Sequence, residues 1–105
     1  MAAPCIYVTR PLRNGYRRTL EAYGPVAQWT EDCPIPRDRL LEAVRGVSGL
    51  LCLGDDRIDR DVIAAGRSLR AISTATAGWD HIDLEAAAAH GIAVCHTPGA
   101  AEASV

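Results

Sequence analysis

Short runs of aliphatic and β-branched residues alternate along the chain with segments in which apolar residues recur every three or four positions. The short runs favour strands, and the periodic segments favour amphipathic helices. The predicted strands are Cys5–Thr9, Val26–Trp29, Val47–Leu53, Leu69–Thr74 and Ile92–Cys95. Because a predicted helix follows each of the first four strands, the pattern predicts parallel pairing with right-handed crossovers. The expected fold is a doubly wound α/β sheet of about five strands.

The ends of the predicted helices carry recognisable signals. Asp59 and Asp83 stand where an N-cap carboxylate is expected, and Gly66 and Gly91 follow the last apolar residues of the same two segments. The helices are predicted over residues 12–23, 36–46, 59–66 and 83–90. The unbroken apolar run in Val47–Leu53 is typical of a strand that is covered on both faces of a parallel sheet.

Composition and charge narrow the class of protein. The 105 residues suffice for one domain, 49% of them are hydrophobic, and a net charge of −2 provides no basic field for nucleic acid or anionic lipid. No apolar run approaches the roughly 20 residues of a membrane span, and the N-terminus lacks a signal-peptide pattern, so the expected location is cytoplasmic. The cysteines are expected to be buried free thiols rather than disulfide partners or metal ligands: Cys5, Cys33, Cys52 and Cys95.

The candidate site is the stretch from Ser73 to Asp83, which combines a predicted strand end, a loop of small residues and a helix start. Ala77 and Gly78 present two consecutive backbone amides with almost no side chain in front of them, which suits a carboxylate ligand. A turn that only allows Trp79 to pack fits the same spacing. Both interpretations remain open from the residues alone.

A second candidate loop follows the third strand and contains Asp55 and Asp56. A phospho-accepting receiver domain carries its aspartate at this place. Such a site also needs acidic residues after the first strand, where this chain has Thr9-Arg10-Pro11, and a lysine after the fifth, which the chain also lacks. The two aspartates are therefore expected to form a turn.

Histidines are the candidates for acid–base chemistry near neutral pH, and none has a partner by spacing. His90 is expected to stabilise a helix C-terminus. His81 and its neighbour Asp80 are candidates for a supporting role behind the small-residue loop, with His81 as a hydrogen-bond partner. Glycine fingerprints for a dinucleotide or a triphosphate are absent from the sequence, so these residues alone are not expected to hold a nucleotide.

The order of several short motifs resembles the N-terminal part of the D-isomer-specific 2-hydroxyacid dehydrogenases, and particularly their glyoxylate/hydroxypyruvate reductase branch. Each motif is weak alone, but together they cover nearly the whole chain. The motifs are Gly49-Leu50-Leu51-Cys52-Leu53, Ile58-Asp59, Ala65-Gly66, Leu69-Arg70-Ala71-Ile72-Ser73-Thr74, Gly78-x-Asp80-His81-Ile82-Asp83, His90-Gly91-Ile92-Ala93-Val94 and Thr97-Pro98-Gly99.

The resemblance implies a flavodoxin-like substrate-binding domain over residues 1–99, with strand order 2-1-3-4-5, and the start of a linker helix over residues 100–105. In the family a Rossmann domain follows and binds NAD(P), and a hydride passes to a 2-keto acid in the cleft between the two domains. Carried over to this chain, the amides of Ala77 and Gly78 would hold the substrate carboxylate, and the loop at Leu53 and Gly54 would close over it.

The family's catalytic arginine, glutamate and histidine and its glycine fingerprint correspond to positions beyond Val105. The resemblance therefore implies no catalytic residue and no cofactor or metal site on this chain, which is expected to be inactive alone. The implied partners are a small 2-keto or 2-hydroxy acid, the Rossmann domain and a second copy in a homodimer. The alternatives are a stand-alone flavodoxin-like binding or interaction module and a receiver-like signalling domain.

Overall fold

Strands and helices alternate in the computed structural model, which describes residues 5–11, 14–31, 33–54, 56–74 and 80–96. The strands are β1 (Ile6–Val8), β2 (Val26–Gln28), β3 (Gly49–Cys52), β4 (Ala71–Thr74) and β5 (Ala93–His96). The helices are α1 (Asn14–Glu21), α2 (Arg37–Ala43), α3 (Arg60–Ala65) and α4 (Leu84–Ala89), and the 3-10 helix η1 (Val44–Gly46) continues α2. Every predicted strand and helix is present, with slightly different ends. No helix within these ranges is long and apolar enough to cross a membrane.

All five strands pair in parallel, in the order β2-β1-β3-β4-β5. Ile6 lies opposite Val26 on one side and Gly49 on the other. The register continues from Gly49 to Ala71 and from Ala71 to Ala93. The predicted α/β class and the strand order implied by the resemblance are both confirmed. Because β1 and β3 are neighbours, the loops that follow them also lie side by side.

The hydrophobic core lies on one face of the sheet. Leu50 in β3 is 2% exposed and Ile72 in β4 is fully buried. The residues that pack with them from the helices are Leu40, Val44, Val62, Ile63, Ala86 and Ala87. Buried and half-buried positions alternate along β3 and β4, so Leu51, which points to the other face, is only half-buried. The apolar run predicted that β3 is buried on both faces. Within the described residues, only one face of β3 is fully buried.

The ends of α3 and α4 are fixed as the sequence predicted. The Asp59 carboxylate accepts a hydrogen bond from the Val62 amide at 3.2 Å, and the Asp83 carboxylate accepts one from the Ala86 amide at 2.9 Å. Gly91 follows α4 with a φ of +69°, a conformation that favours glycine. Just before it, the His90 Nδ1 atom lies 2.9 Å from a backbone carbonyl oxygen in the last turn of α4. The expected structural role of His90 is confirmed.

The prediction for the cysteines is confirmed only in part. All four are free thiols. Cys52 is buried, but Cys5 is half-buried and Cys33 and Cys95 are exposed. Burial was wrongly expected for Cys33 because it lies in a connection outside the strands. It was wrongly expected for Cys95 because this residue of the edge strand β5 is in register with Ser73, on the face of the sheet away from the core.

The N-cap of α3 gives a test of the fold. Replacement Asp59→Ala should lower the free energy of unfolding by about 1 kcal/mol at pH 7, because the side chain caps the helix. The guanidinium of Arg37, 2.8 Å from the Asp59 carboxylate, also holds the pKa of Asp59 below its ordinary value. A lowered pKa in the folded state means that this stabilisation is present above the ordinary carboxyl pKa and is lost as the pH falls through the lowered one. Urea unfolding at pH 7 and at acidic pH measures both effects.

Asp61→Ala is the matched control for this prediction. Asp61 also pairs with Arg37, at 3.3 Å, but its side chain is 79% exposed and it does not cap the helix. Its replacement should cost less than about 0.5 kcal/mol. Equal losses in the two variants would show that the ion pairs, and not the cap, stabilise this end of α3.

Candidate functional site

The carboxyl ends of β1, β3 and β4 meet at one edge of the sheet. Thr9 follows β1 there, and Leu53 and Gly54 follow β3. Leu53 is half-buried and Gly54 is exposed, so the loop expected to close over a substrate reaches the surface. Ala77 and Gly78, the residues expected to hold a carboxylate, lie outside the described residues. Their arrangement remains a prediction.

Asp56 joins the loop after β3 to the end of β1. Its side chain is buried, with 2% of the residue exposed. The Oδ2 atom accepts one hydrogen bond from the Thr9 hydroxyl and a second from the Leu53 amide at 2.8 Å. In return, the Asp56 amide donates to the Leu53 carbonyl oxygen at 3.1 Å. Leu53 and Asp56 thus close a turn through two hydrogen bonds to each other, and the expected turn-forming role is confirmed for Asp56.

This geometry does not support a phospho-accepting receiver site at Asp56. An aspartate that is phosphorylated must present an oxygen to a phosphodonor, whereas the Asp56 carboxylate is buried. Its neighbour at the end of β1 is the neutral residue Thr9. Asp55, the other aspartate of the pair, lies outside the described residues.

A second polar contact lies at the end of β4. Thr74 is fully buried, and its Oγ1 atom lies 2.9 Å from Nε2 of His81. His81 is half-buried, while Asp80 beside it is exposed. His81 therefore contacts the last residue of β4, the strand that leads into the small-residue loop. Its predicted role behind the site, like that of Asp80, remains a prediction.

The segments before α3 and α4 are held together by an isolated parallel bridge between Ile58 and Ile82. The Ile58 amide donates to the His81 carbonyl oxygen at 2.8 Å, and the Asp83 amide donates to the Ile58 carbonyl oxygen at 2.9 Å. The hydrophobic pattern of the sequence does not predict this bridge. A signal for it exists in the repeated Ile-Asp pair, because Ile58-Asp59 and Ile82-Asp83 each precede a helix directly.

Cys52 lies under the same edge, as the last residue of β3. Burial raises the pKa of its thiol to about 12. A hydrogen bond with the Thr74 hydroxyl lowers this pKa, and the charge of Asp56 raises it further. The thiol is therefore neutral near pH 7 and is not a nucleophile. The buried side chains of Asp56 and Thr74 at this edge thus hydrogen-bond to other groups of the protein.

A parallel sheet in this order, with its connecting loops collected at the carboxyl edge, defines a flavodoxin-like α/β domain of the kind that binds ligands at that edge. The family model of the D-isomer specific 2-hydroxyacid dehydrogenase catalytic domain matches residues 6–105. The chain therefore belongs to the D-isomer specific 2-hydroxyacid dehydrogenases, and the resemblance found in its motifs is confirmed.

Characterised relatives narrow the likeness within that family. The chain is 42% identical over 100 residues to the glyoxylate reductase of Thermofilum pendens, covering 94% of this chain and 30% of the relative. It is 44% identical over 97 residues to the glyoxylate reductase/hydroxypyruvate reductase of Mus musculus, covering 90% of this chain and 30% of the relative. The chain thus spans about 30% of the length of both relatives.

A solved structure shows that the similarity includes the fold. The NAD+-bound 3-phosphoglycerate dehydrogenase of Entamoeba histolytica superposes with a TM-score of 0.76 at 30% identity, over 92% of this chain and 34% of that one. The likeness therefore extends to the backbone over nearly the whole chain.

The reactivity of the cysteines tests whether Cys52 is buried under this edge. In the native protein, iodoacetamide at pH 8 should alkylate Cys33 and Cys95, which are exposed, and leave Cys52 unmodified because its thiol is buried and neutral. Mass spectrometry of tryptic peptides measures the reaction at each site. The same treatment in denaturant is the control and should modify Cys52 as well. Alkylation of native Cys52 at the rate of Cys33 would show that the edge is open to solvent.

Proposed function

We propose that this chain is the substrate-binding part of an NAD(P)-dependent 2-hydroxyacid dehydrogenase that reduces glyoxylate or hydroxypyruvate. In this proposal residues 1–99 form the substrate-binding domain and residues 100–105 begin a linker helix to an NAD(P)-binding domain. The match of residues 6–105 to the family's catalytic domain carries the proposal. The names of the relatives from Thermofilum pendens and Mus musculus support the substrate class.

The proposed role of the chain is to bind the carboxylate of the keto acid. The amides of Ala77 and Gly78 would donate to the carboxylate, and the loop at Leu53 and Gly54 would close over it. Fixed amides suit this task because they need no reorganisation when the anion arrives. The observation that supports the loop's role is the closed turn over residues 53–56, which holds Leu53 by its amide and its carbonyl group.

The residues of this chain do not fit the dinucleotide itself. Its sequence has no Gly-x-Gly-x-x-Gly, and the turn after β3 buries the Asp56 carboxylate, whose charge opposes a pyrophosphate. We therefore assign the cofactor, the catalytic groups and the homodimer contacts of the proposed enzyme to other parts of the protein. No step of hydride transfer is assigned to a residue of this chain.

A chimera tests the proposed function. Residues 1–105 of this chain should replace the matching part of the Thermofilum pendens glyoxylate reductase, to which the chain is 42% identical. The chimera is expected to oxidise NADH or NADPH in the presence of glyoxylate or hydroxypyruvate, and the 105-residue chain alone is expected to show no such activity. A folded chimera that binds the dinucleotide but reduces neither acid would count against the proposal, as would activity of the chain alone.

Within the chimera, Gly78→Val tests the predicted carboxylate loop. A side chain at this position should obstruct the approach of the ligand to the backbone, so KM for the keto acid should rise far more than kcat falls. Gly46→Val is the matched control, because Gly46 precedes β3 at the opposite edge of the sheet and a Cβ atom there meets nothing within 4 Å. A fall in kcat alone in Gly78→Val, or an equal rise of KM in both variants, would contradict the predicted loop.

A further inference from the structure

Asp56 carries a buried carboxylate, and the proposed function assigns it no role in binding the substrate. A carboxylate is costly to bury unless its oxygens accept hydrogen bonds. Only Oδ2 does so here, whereas Oδ1 is equally buried and has no hydrogen-bond partner among the described residues. Because a carboxylate buried in this way destabilises the fold, we expect Asp56 to have a role beyond packing.

The two donors to Oδ2 come from different strands. Thr9 follows β1 and lies 47 residues before Asp56, whereas Leu53 follows β3. Thr9 is itself fixed in the sheet, since it is fully buried and its amide donates to the Leu51 carbonyl oxygen at 3.1 Å. Asp56 therefore links a rigid point of the sheet to the amide of Leu53, in the loop that the proposed function places over the substrate.

We propose that Asp56 is a positioning residue for keto-acid binding. Through Thr9 it holds the Leu53–Gly54 loop where that loop can close over the carboxylate, without touching the substrate itself. This inference rests on the proposed function, because it assigns a task to a loop of the same site. Asp56 contributes through the two hydrogen bonds that its Oδ2 atom accepts.

The link can be observed directly in the 105-residue chain by amide hydrogen exchange measured with NMR. Thr9→Val removes the hydroxyl and keeps the shape of the side chain, so the Leu53 amide should exchange about tenfold faster than in the unchanged chain. Thr9→Ser keeps the hydroxyl and should restore slow exchange. The Leu50 amide, in the middle of β3, is the internal reference and should not change. Unchanged exchange of Leu53 in Thr9→Val would overturn the inference.

The effect on binding is measured in the chimera. Thr9→Val and Asp56→Ala should raise KM for the keto acid about tenfold and leave KM for the dinucleotide unchanged, whereas Thr9→Ser should stay within about twofold. A merely structural role would lower the melting temperature without this selective rise in KM. If Asp56→Ala does not fold, the Thr9 pair of variants decides the question.

The outcomes separate this inference from the proposed function. An active chimera in which Thr9→Val keeps the KM of the unchanged protein overturns the inference alone. An unchanged chimera that folds, binds the dinucleotide and reduces no keto acid overturns the proposed function and, with it, the task assigned to Asp56.

Discussion

Parallel pairing of the strands is the constraint on which the rest of this structure depends. Since β1, β3 and β4 run in the same direction, each must be followed by a segment that returns the chain to the other end of the sheet. The loops after these strands consequently collect at one edge. Backbone hydrogen bonds extend the ladder into that edge, where the Thr9 amide donates to the Leu51 carbonyl oxygen at 3.1 Å. The residues that follow the strands therefore start from fixed positions.

Two kinds of contact fix the helices at this edge: a β-bridge between the segments that precede them and an N-cap at each helix start. In Ile58-Asp59 and Ile82-Asp83 the isoleucine is buried and pairs with the other isoleucine, and the aspartate caps the helix that begins directly afterwards. The bridge sets where the two segments lie relative to each other, and the caps set where α3 and α4 begin. Two short helices of six residues each are thereby placed with little freedom.

Features that depend on local rules were predictable from the sequence. The strands follow from apolar runs and the caps from an aspartate before a helical period, and the structure confirms both. The exposure of Cys95 depends on β5 being an edge strand and on the face of the sheet to which Cys95 belongs, neither of which the apolar run reveals. The burial of Asp56 depends on Thr9, a partner 47 residues away, and no local pattern distinguishes it from an exposed turn residue. For the site, the loops could be located from the strand ends, but the contacts that hold them are long-range and emerge only from the fold.

The polar groups described at the carboxyl edge are engaged mainly with the protein itself. Asp56 holds Leu53, Asp83 holds the first turn of α4, and His81 contacts Thr74. Groups held in this way fix the positions of loops, and they are poorly placed to exchange protons with a ligand. These contacts suit the role that the proposed function gives this edge, which is to hold loops around a keto acid while proton and hydride transfer are assigned to other parts of the protein.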